Sequence, residues 1–152
     1  MTDYYNACVY KIVCKDENIT DTYIGSTKNF KNRMKGHKCN CNNIKRPGYN
    51  YKVYKFIREN GGWENWEMKK ICDVKCLNKY DLHKKEGDYQ RELKPTLNKG
   101  IAGRTNEEYR EDNRDKRSVY QKAYDLKNRD KINKQRRERR AKKKATQSSS
   151  QV

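Results

Sequence analysis

The chain has 152 residues, of which 32% are hydrophobic and 38% charged, and its formal net charge is +18. That length predicts one domain with a modest core and an appendage, and the composition leaves part of the chain unable to bury itself. No apolar run approaches the ~18 residues of a membrane span, and the N-terminal stretch MTDYYNA has no apolar signal core. The expectation is a soluble, intracellular protein, cytoplasmic or nuclear, and not a secreted one.

A positive field of this size concentrates polyanions and makes their binding steeply dependent on salt. Nucleic acid is the first candidate partner and an anionic membrane surface the second. The six cysteines, Cys8, Cys14, Cys39, Cys41, Cys72 and Cys76, lack the secretory context of a disulfide framework. Cys39 and Cys41 with Cys72 and Cys76 offer thiolates to zinc, but neither pair has the C-x-x-C spacing of structural sites. Cys8 and Cys14 fall at strand positions and read as small core residues.

Residues 7 to 14 (ACVYKIVC) and 22 to 26 (TYIGS) are rich in β-branched and aromatic types and predict two strands. The segment KDENITD between them reads as a hairpin loop. Placing Tyr10 opposite Tyr23 closes the turn over residues 15 to 18 and sets both phenols beside each other on one face. Gly25 is expected to end the second strand, where a missing side chain allows a sharp turn or a close backbone approach. Asn29 predicts the N-cap of a helix from Phe30 to about Lys38. On that helix Phe30, Met34 and His37 share a stripe with Arg33 at its edge, half apolar and half cationic.

A polar loop is expected over residues 39 to 48. A second helix follows over Tyr49 to Asn60, with Val53, Phe56 and Ile57 buried and Gly61-Gly62 as its stop. Trp66 to Cys72 is the third predicted strand. Asn78 caps a third helix, Leu77 is placed to staple onto Leu82, and Pro95 lies just beyond the end. The apolar stripe of this helix runs Leu82, position 86, Tyr89 and Leu93, and residue 86 is glutamate. A carboxylate on a core-facing stripe is costly unless it meets a cation or hydrogen-bond donors. Glu86 therefore points at something positive, and a structural ion pair with Arg33 is the plain alternative to a functional cation. Gly87 beside it costs roughly 1 kcal/mol against alanine in a helix interior, which close packing at that point would explain.

The character changes after Asn98-Lys99-Gly100, which divides the chain into a domain over residues 1 to 103 and a tail over 104 to 152. The tail holds 17 basic and 8 acidic side chains, a net of +9. Tyr109 and Asn113-Arg114-Asp115-Lys116 recur as Tyr124 and Asn128-Arg129-Asp130-Lys131, a repeat of period 15. Apolar residues are too sparse for a core, so an exposed, helix-prone segment is expected, ordered only on a partner. QRRERRAKKK (135 to 144) is nearly pure positive charge, and the terminal ATQSSSQV is expected to be disordered.

Cutting a phosphodiester needs a deprotonated nucleophile, charge stabilisation on the phosphoryl oxygens and help for the leaving oxygen. Glu86 can hold one hard divalent cation, Mg²⁺ or Mn²⁺. Arg33 offers a fork matched to phosphate. Tyr10, Tyr23 and His37 are candidate proton carriers. A phenol serving as base needs positive charge nearby to lower its pKa, and Arg33, Lys11 or Lys28 are the candidates to supply it. Taken singly, each residue has a plainer reading as strand packing, a surface histidine, a solvated arginine or a turn asparagine.

Taken in order, the VYK of residues 9 to 11, the intact YIG of residues 23 to 25 and the R-x-x-x-H helix resemble the GIY-YIG nuclease family over about residues 7 to 100. The resemblance implies an α+β fold, a small three-stranded antiparallel sheet flanked by helices. It implies that Tyr10 is the general base, acting directly or through Tyr23, and that Arg33 stabilises the pentacovalent phosphate. His37 matches the family histidine one turn on, Glu86 the metal-binding glutamate and Asn98 the asparagine that closes the domain and orders the site. Cys8-Val9 stands where the family has Gly-Ile. The implied activity is metal-dependent DNA cleavage leaving 5′-phosphate and 3′-hydroxyl ends, with one ion and no small-molecule cofactor.

The tail also resembles the appendages of such proteins from large DNA viruses. Lys28 and the tail cations Arg136, Arg137, Arg139, Arg140, Lys142, Lys143 and Lys144 are the expected contacts to the DNA backbone, which they would grip without reading sequence. A non-catalytic nucleic-acid binder on a decayed nuclease fold is the alternative, and a self-associating helical tail a weaker one.

Overall fold

The computed structural model describes residues 4–149, with side chains described as far as residue 143. The chain divides into two compact units, Met1–Arg104 and Thr105–Val152. In the first, strands β1 (Ala7–Cys14), β2 (Thr22–Thr27) and β3 (Trp66–Val74) form an antiparallel sheet in the order β2-β1-β3. β1 is the central strand, and its Ala7, Cys8, Val9, Tyr10 and Ile12 are all buried. Helices α1 (Phe30–Asn42), α2 (Lys52–Glu59) and α3 (Lys79–Leu93) surround the sheet, and a single 3-10 turn, Trp63–Asn65, leads into β3. The expected α+β architecture is the observed one.

Both expected helix caps form. The Asn29 side chain accepts from the Asn32 N–H at 2.9 Å and the Asn78 side chain from the Asp81 N–H at 3.0 Å. The main core joins Tyr10 and Ile12 of β1 to Val53, Tyr54 and Ile57 of α2, with Trp63, Trp66 and Met68 beside them. A smaller cluster joins Ala7, Cys76 and Leu82.

The register of the hairpin differs from the expected one by two residues. Tyr10 stands opposite Gly25 and Ile12 opposite Tyr23. A slide of two keeps every side chain on its face, so the phenols remain on one side of the sheet, as diagonal neighbours. Gly25 lies within β2 and does not end it. Its role is close approach, because the Tyr10 ring lies over the bare backbone there.

α1 runs four residues further than expected, through Cys39–Asn42, and its buried positions are His37 and Cys41, with Met34 38% exposed. Cys41 belongs to the main core, and that burial extends the helix into what was expected to be loop. α2 begins at Lys52 and buries Tyr54 with Val53 and Ile57, while Phe56 is only partly buried. Gly61 and Gly62 follow it with φ of +88° and +71°.

α3 also turns a different face inward. Leu82, Gly87 and Gln90 are buried, Leu93 is 48% exposed, and Leu77 is 81% exposed, so no staple onto Leu82 forms. A Cβ on Gly87 would collide with the Ala102 carbonyl oxygen. The segment after Asn98 therefore crosses α3 at that glycine and moves the buried stripe onto residues 87 and 90, leaving Glu86 half-buried at its edge.

The second unit is helical: α4 (Asn106–Asp112), α5 (Arg114–Lys127) and α6 (Arg129–Ser149). Thr105 and Glu108 form a reciprocal capping box at the start. The repeat of the sequence is a repeat of structure, since the helices break at Asn113 and Asn128. Each asparagine donates its side-chain N–H to a tyrosine carbonyl four residues back, Tyr109 at 2.8 Å and Tyr124 at 2.9 Å. The α6 backbone continues through residues 145 to 149, where composition suggested disorder; residues 150 to 152 lie outside the described residues.

Candidate active site

The site is built on the hairpin. Tyr10 from β1 and Tyr23 from β2 lie under α1, which supplies Arg33 and His37 one turn apart. Arg33 donates its Nε–H to the Tyr10 hydroxyl at 2.9 Å. His37 is 2% exposed, its Nε2 lies 2.8 Å from the Tyr10 hydroxyl, and its Nδ1 lies 2.8 Å from the Tyr54 hydroxyl. Its ring stacks on Trp63, centroids 6.1 Å apart and planes within 7°.

The hydrogen positions follow from burial. Tyr10 is sealed and already accepts from Arg33, so its own O–H needs an acceptor, which His37 Nε2 provides. Nδ1–H then donates to Tyr54. The reverse tautomer would leave the Tyr10 proton with no acceptor among the described residues. Burial first, then the positive charge of Arg33, lowers the His37 pKa to about 3 and holds the ring neutral.

Burial also raises the pKa of both motif tyrosines. For Tyr10 the neighbouring Tyr23 adds to the rise, and for Tyr23 the Glu86 carboxylate does; Arg33 opposes both. This reverses the expectation that nearby cations lower the pKa of a tyrosine base, because desolvation outweighs the single guanidinium. Lys11 pairs across from Ile24 and Lys69 in the sheet, one residue out of phase with Tyr10 and so on the other face. The Lys28 ammonium lies 6.0 Å over the Tyr4 ring.

Glu86 reaches the hairpin from α3. Ser26 donates its hydroxyl to Oε2 at 2.6 Å, and Gln90 donates its side-chain N–H to Oε1 at 3.0 Å. The plain alternative, an ion pair with Arg33, is not formed among the described residues; hydroxyl and amide donors hold the carboxylate instead. Gln90, 5% exposed, also donates to the Ile24 carbonyl at 3.4 Å and accepts from the Ala102 N–H at 2.7 Å. Asn98 completes the edge of β2, accepting from the Ile24 N–H and donating to the Ile24 carbonyl, both at 2.8 Å.

Tyr23, Arg33 and Glu86 open onto a cleft of about 1050 Å³ whose other walls come from the start of α2 and the segment after Leu97. Tyr10 does not line it and is 0% exposed. The structure thus brings Tyr10, Tyr23, Arg33, His37, Glu86 and Asn98 into one neighbourhood. Lys28 is exposed, and the ring its ammonium overlies, that of Tyr4, is not part of that cluster. The tail cations Arg136, Arg137, Arg139, Arg140, Lys142 and Lys143 are exposed on α6, and the Lys144 side chain lies outside the described residues.

Ser26, Gln90 and Tyr54 were missed from sequence. Gln90 had a signal, four residues after Glu86 and so on its helical face. Ser26 follows directly on the YIG tripeptide. Tyr54 had none, since nothing local sets it apart from Tyr49 or Tyr51.

One carboxylate whose oxygens each accept a single protein hydrogen bond retains lone pairs for a hard cation, and such ions commonly take one or two carboxylates, substrate phosphate and waters. Glu86 fits that pattern. Among the described residues no group of three or more metal-ligating side chains forms, and all six cysteines are free. No described helix is long and apolar enough to cross a membrane.

Neither a curated protein nor a solved structure matches the chain. The GIY-YIG catalytic domain matches residues 6–100, well over half of its length, and these are the residues that build the hairpin, the R-x-x-x-H helix, Glu86 and the Asn98 closure. The chain belongs to the GIY-YIG family of DNA nucleases.

Proposed function

We propose that the protein is a metal-dependent DNA endonuclease whose cleft binds a phosphodiester between Arg33 and Glu86. The supporting observation is the setting of Glu86, held by Ser26 and Gln90 on the hairpin that carries both phenols. Arg33 is anchored through Tyr10 and presents its guanidinium to the phosphoryl oxygens. Tyr23 is the phenol that a water in the cleft can reach, and it would take the proton of the attacking water. Tyr10, sealed beneath, acts through Tyr23 and by fixing Arg33, with His37 and Tyr54 behind it. A divalent cation held by Glu86 supplies positive charge that neutralises phosphoryl oxygens and favours deprotonation of nearby water and phenol.

A plasmid-nicking assay with Mg²⁺, with and without EDTA, tests this. Wild type should nick only with the metal. Glu86→Ala should bind DNA and cut about 100-fold more slowly or not at all. Nicking that persists in EDTA, or that runs at the wild-type rate in Glu86→Ala, would overturn the assignment.

A further inference from the structure

Tyr23, Arg33 and Glu86 form only part of the cleft lining; the start of α2 supplies another part, with Asn50, Tyr51 and Tyr54. Tyr51 is hard to explain by stability. It is the N-cap of α2 and makes no side-chain cap hydrogen bond, at a position where Ser, Thr, Asp or Asn is favoured. It is 61% exposed, so the core does not use it either. The aromatic ring beside it is that of Tyr54, 6.4 Å away and within 17° of parallel. Tyr54 is in turn tied to His37, so the exposed ring lies beside the cluster that holds Arg33.

Lys52, whose ammonium donates to the Thr96 carbonyl at 2.9 Å, and Lys99 also line the cleft and can serve the phosphate backbone. The wall beside Tyr51 offers different chemistry. Asn50 is exposed, and its amide offers both a donor and an acceptor. An aromatic face beside an amide is the chemistry that recognises a nucleobase, by stacking and by hydrogen bonds to its edge.

We infer that this wall is a nucleobase subsite, in which Tyr51 stacks on, and Asn50 hydrogen-bonds to, a base turned out of the DNA stack beside the phosphodiester held at Arg33 and Glu86. The inference rests on the endonuclease reading and narrows its substrate to DNA with an unpaired nucleotide next to the cut. In a continuous duplex both faces of each base are covered by neighbours, and extrusion is least costly where pairing is already lost.

Two fluorescein-labelled duplexes test it with the full chain, one fully matched and one carrying a single unpaired nucleotide. Binding is read by anisotropy in EDTA and cleavage by mapping cuts with Mg²⁺. Wild type should bind and cut the unpaired duplex about tenfold better, with the cut beside the unpaired nucleotide. Tyr51→Ala should bring that ratio to about one, and Tyr51→Phe, which keeps the ring, should retain it. No preference in wild type, or a Tyr51→Ala variant that keeps the ratio, overturns the subsite. If neither duplex is cut, the endonuclease reading fails, while the anisotropy ratio still decides on Tyr51.

Discussion

The Tyr10 hydroxyl occupies the space in which a side chain at residue 25 would stand. A Cβ on Gly25 would lie 2.5 Å from that oxygen and 3.1 Å from Cε1 of Tyr23. Both phenols are therefore positioned against bare backbone of β2. Gly25→Ala should cost about 1–3 kcal/mol by overpacking, read from urea unfolding. Displacing the phenols and Arg33 by about 1 Å should lower nicking by about 100-fold. A folded Gly25→Ala protein that nicks at the wild-type rate would show that this close approach is not needed.

Acid should destabilise the fold through His37. The unfolded chain takes up a proton near the ordinary value of 6.5, whereas the folded ring resists until about 3. Because the folded pKa is depressed and the group is a base, its contribution to stability is complete above 6.5 and is lost as pH falls through that window. At pH 5 the loss is about 2 kcal/mol, at about 1.4 kcal/mol per unit. Thermal unfolding of wild type and His37→Gln at pH 7 and pH 5 checks this. The wild-type melting temperature should fall further than that of the variant, and equal falls would remove His37 as the source.

The elements legible in sequence were those governed by short-range chemistry. Asn29 and Asn78 were readable as caps because each side chain needs only an N–H three residues on. Glu86 was readable because a charge on an otherwise apolar stripe has to be compensated. The hairpin register was not legible, since it depends on the Tyr10 ring finding the missing side chain of Gly25, an approach made across the sheet. The true inner face of α3 was hidden for a similar reason. The segment that crosses Gly87 lies outside the helix, so periodicity within the helix pointed to Leu93 when Gln90 was the buried residue. Burial of His37 beside Tyr10 likewise depends on Tyr54 and Trp63, which come from later in the chain.

Gln90 joins three parts of the site, and its loss should be felt at each. Gln90→Leu would leave the Ala102 N–H without its acceptor and Glu86 Oε1 without its donor. The expected destabilisation is about 1–3 kcal/mol. A carboxylate freed from one of its two supports should also hold a cation less well. The Mg²⁺ concentration giving half-maximal nicking should rise about tenfold, in the range seen when groups supporting a metal ligand are removed. An unchanged Mg²⁺ dependence would confine Gln90 to structure.

The cations of α6 are exposed and belong to the unit that does not carry Tyr23, Arg33 and Glu86, so their effect should lie in binding more than in chemistry. Replacing Arg136, Arg137, Arg139 and Arg140 together with glutamine keeps the chain length and removes positive charge that can pair with phosphate. Each arginine–phosphate pairing abolished should reduce the slope of log affinity against log salt by about 0.9. The slope should therefore flatten by up to about 3.6 if all four arginines meet phosphate. Affinity should fall across DNA sequences alike, because interactions with the backbone carry no sequence information. The single-turnover nicking rate at saturating protein should change little, since Tyr23, Arg33 and Glu86 are untouched. Anisotropy titrations over a series of salt concentrations measure the slope, and a slope equal to that of wild type would take these four arginines out of the DNA interface.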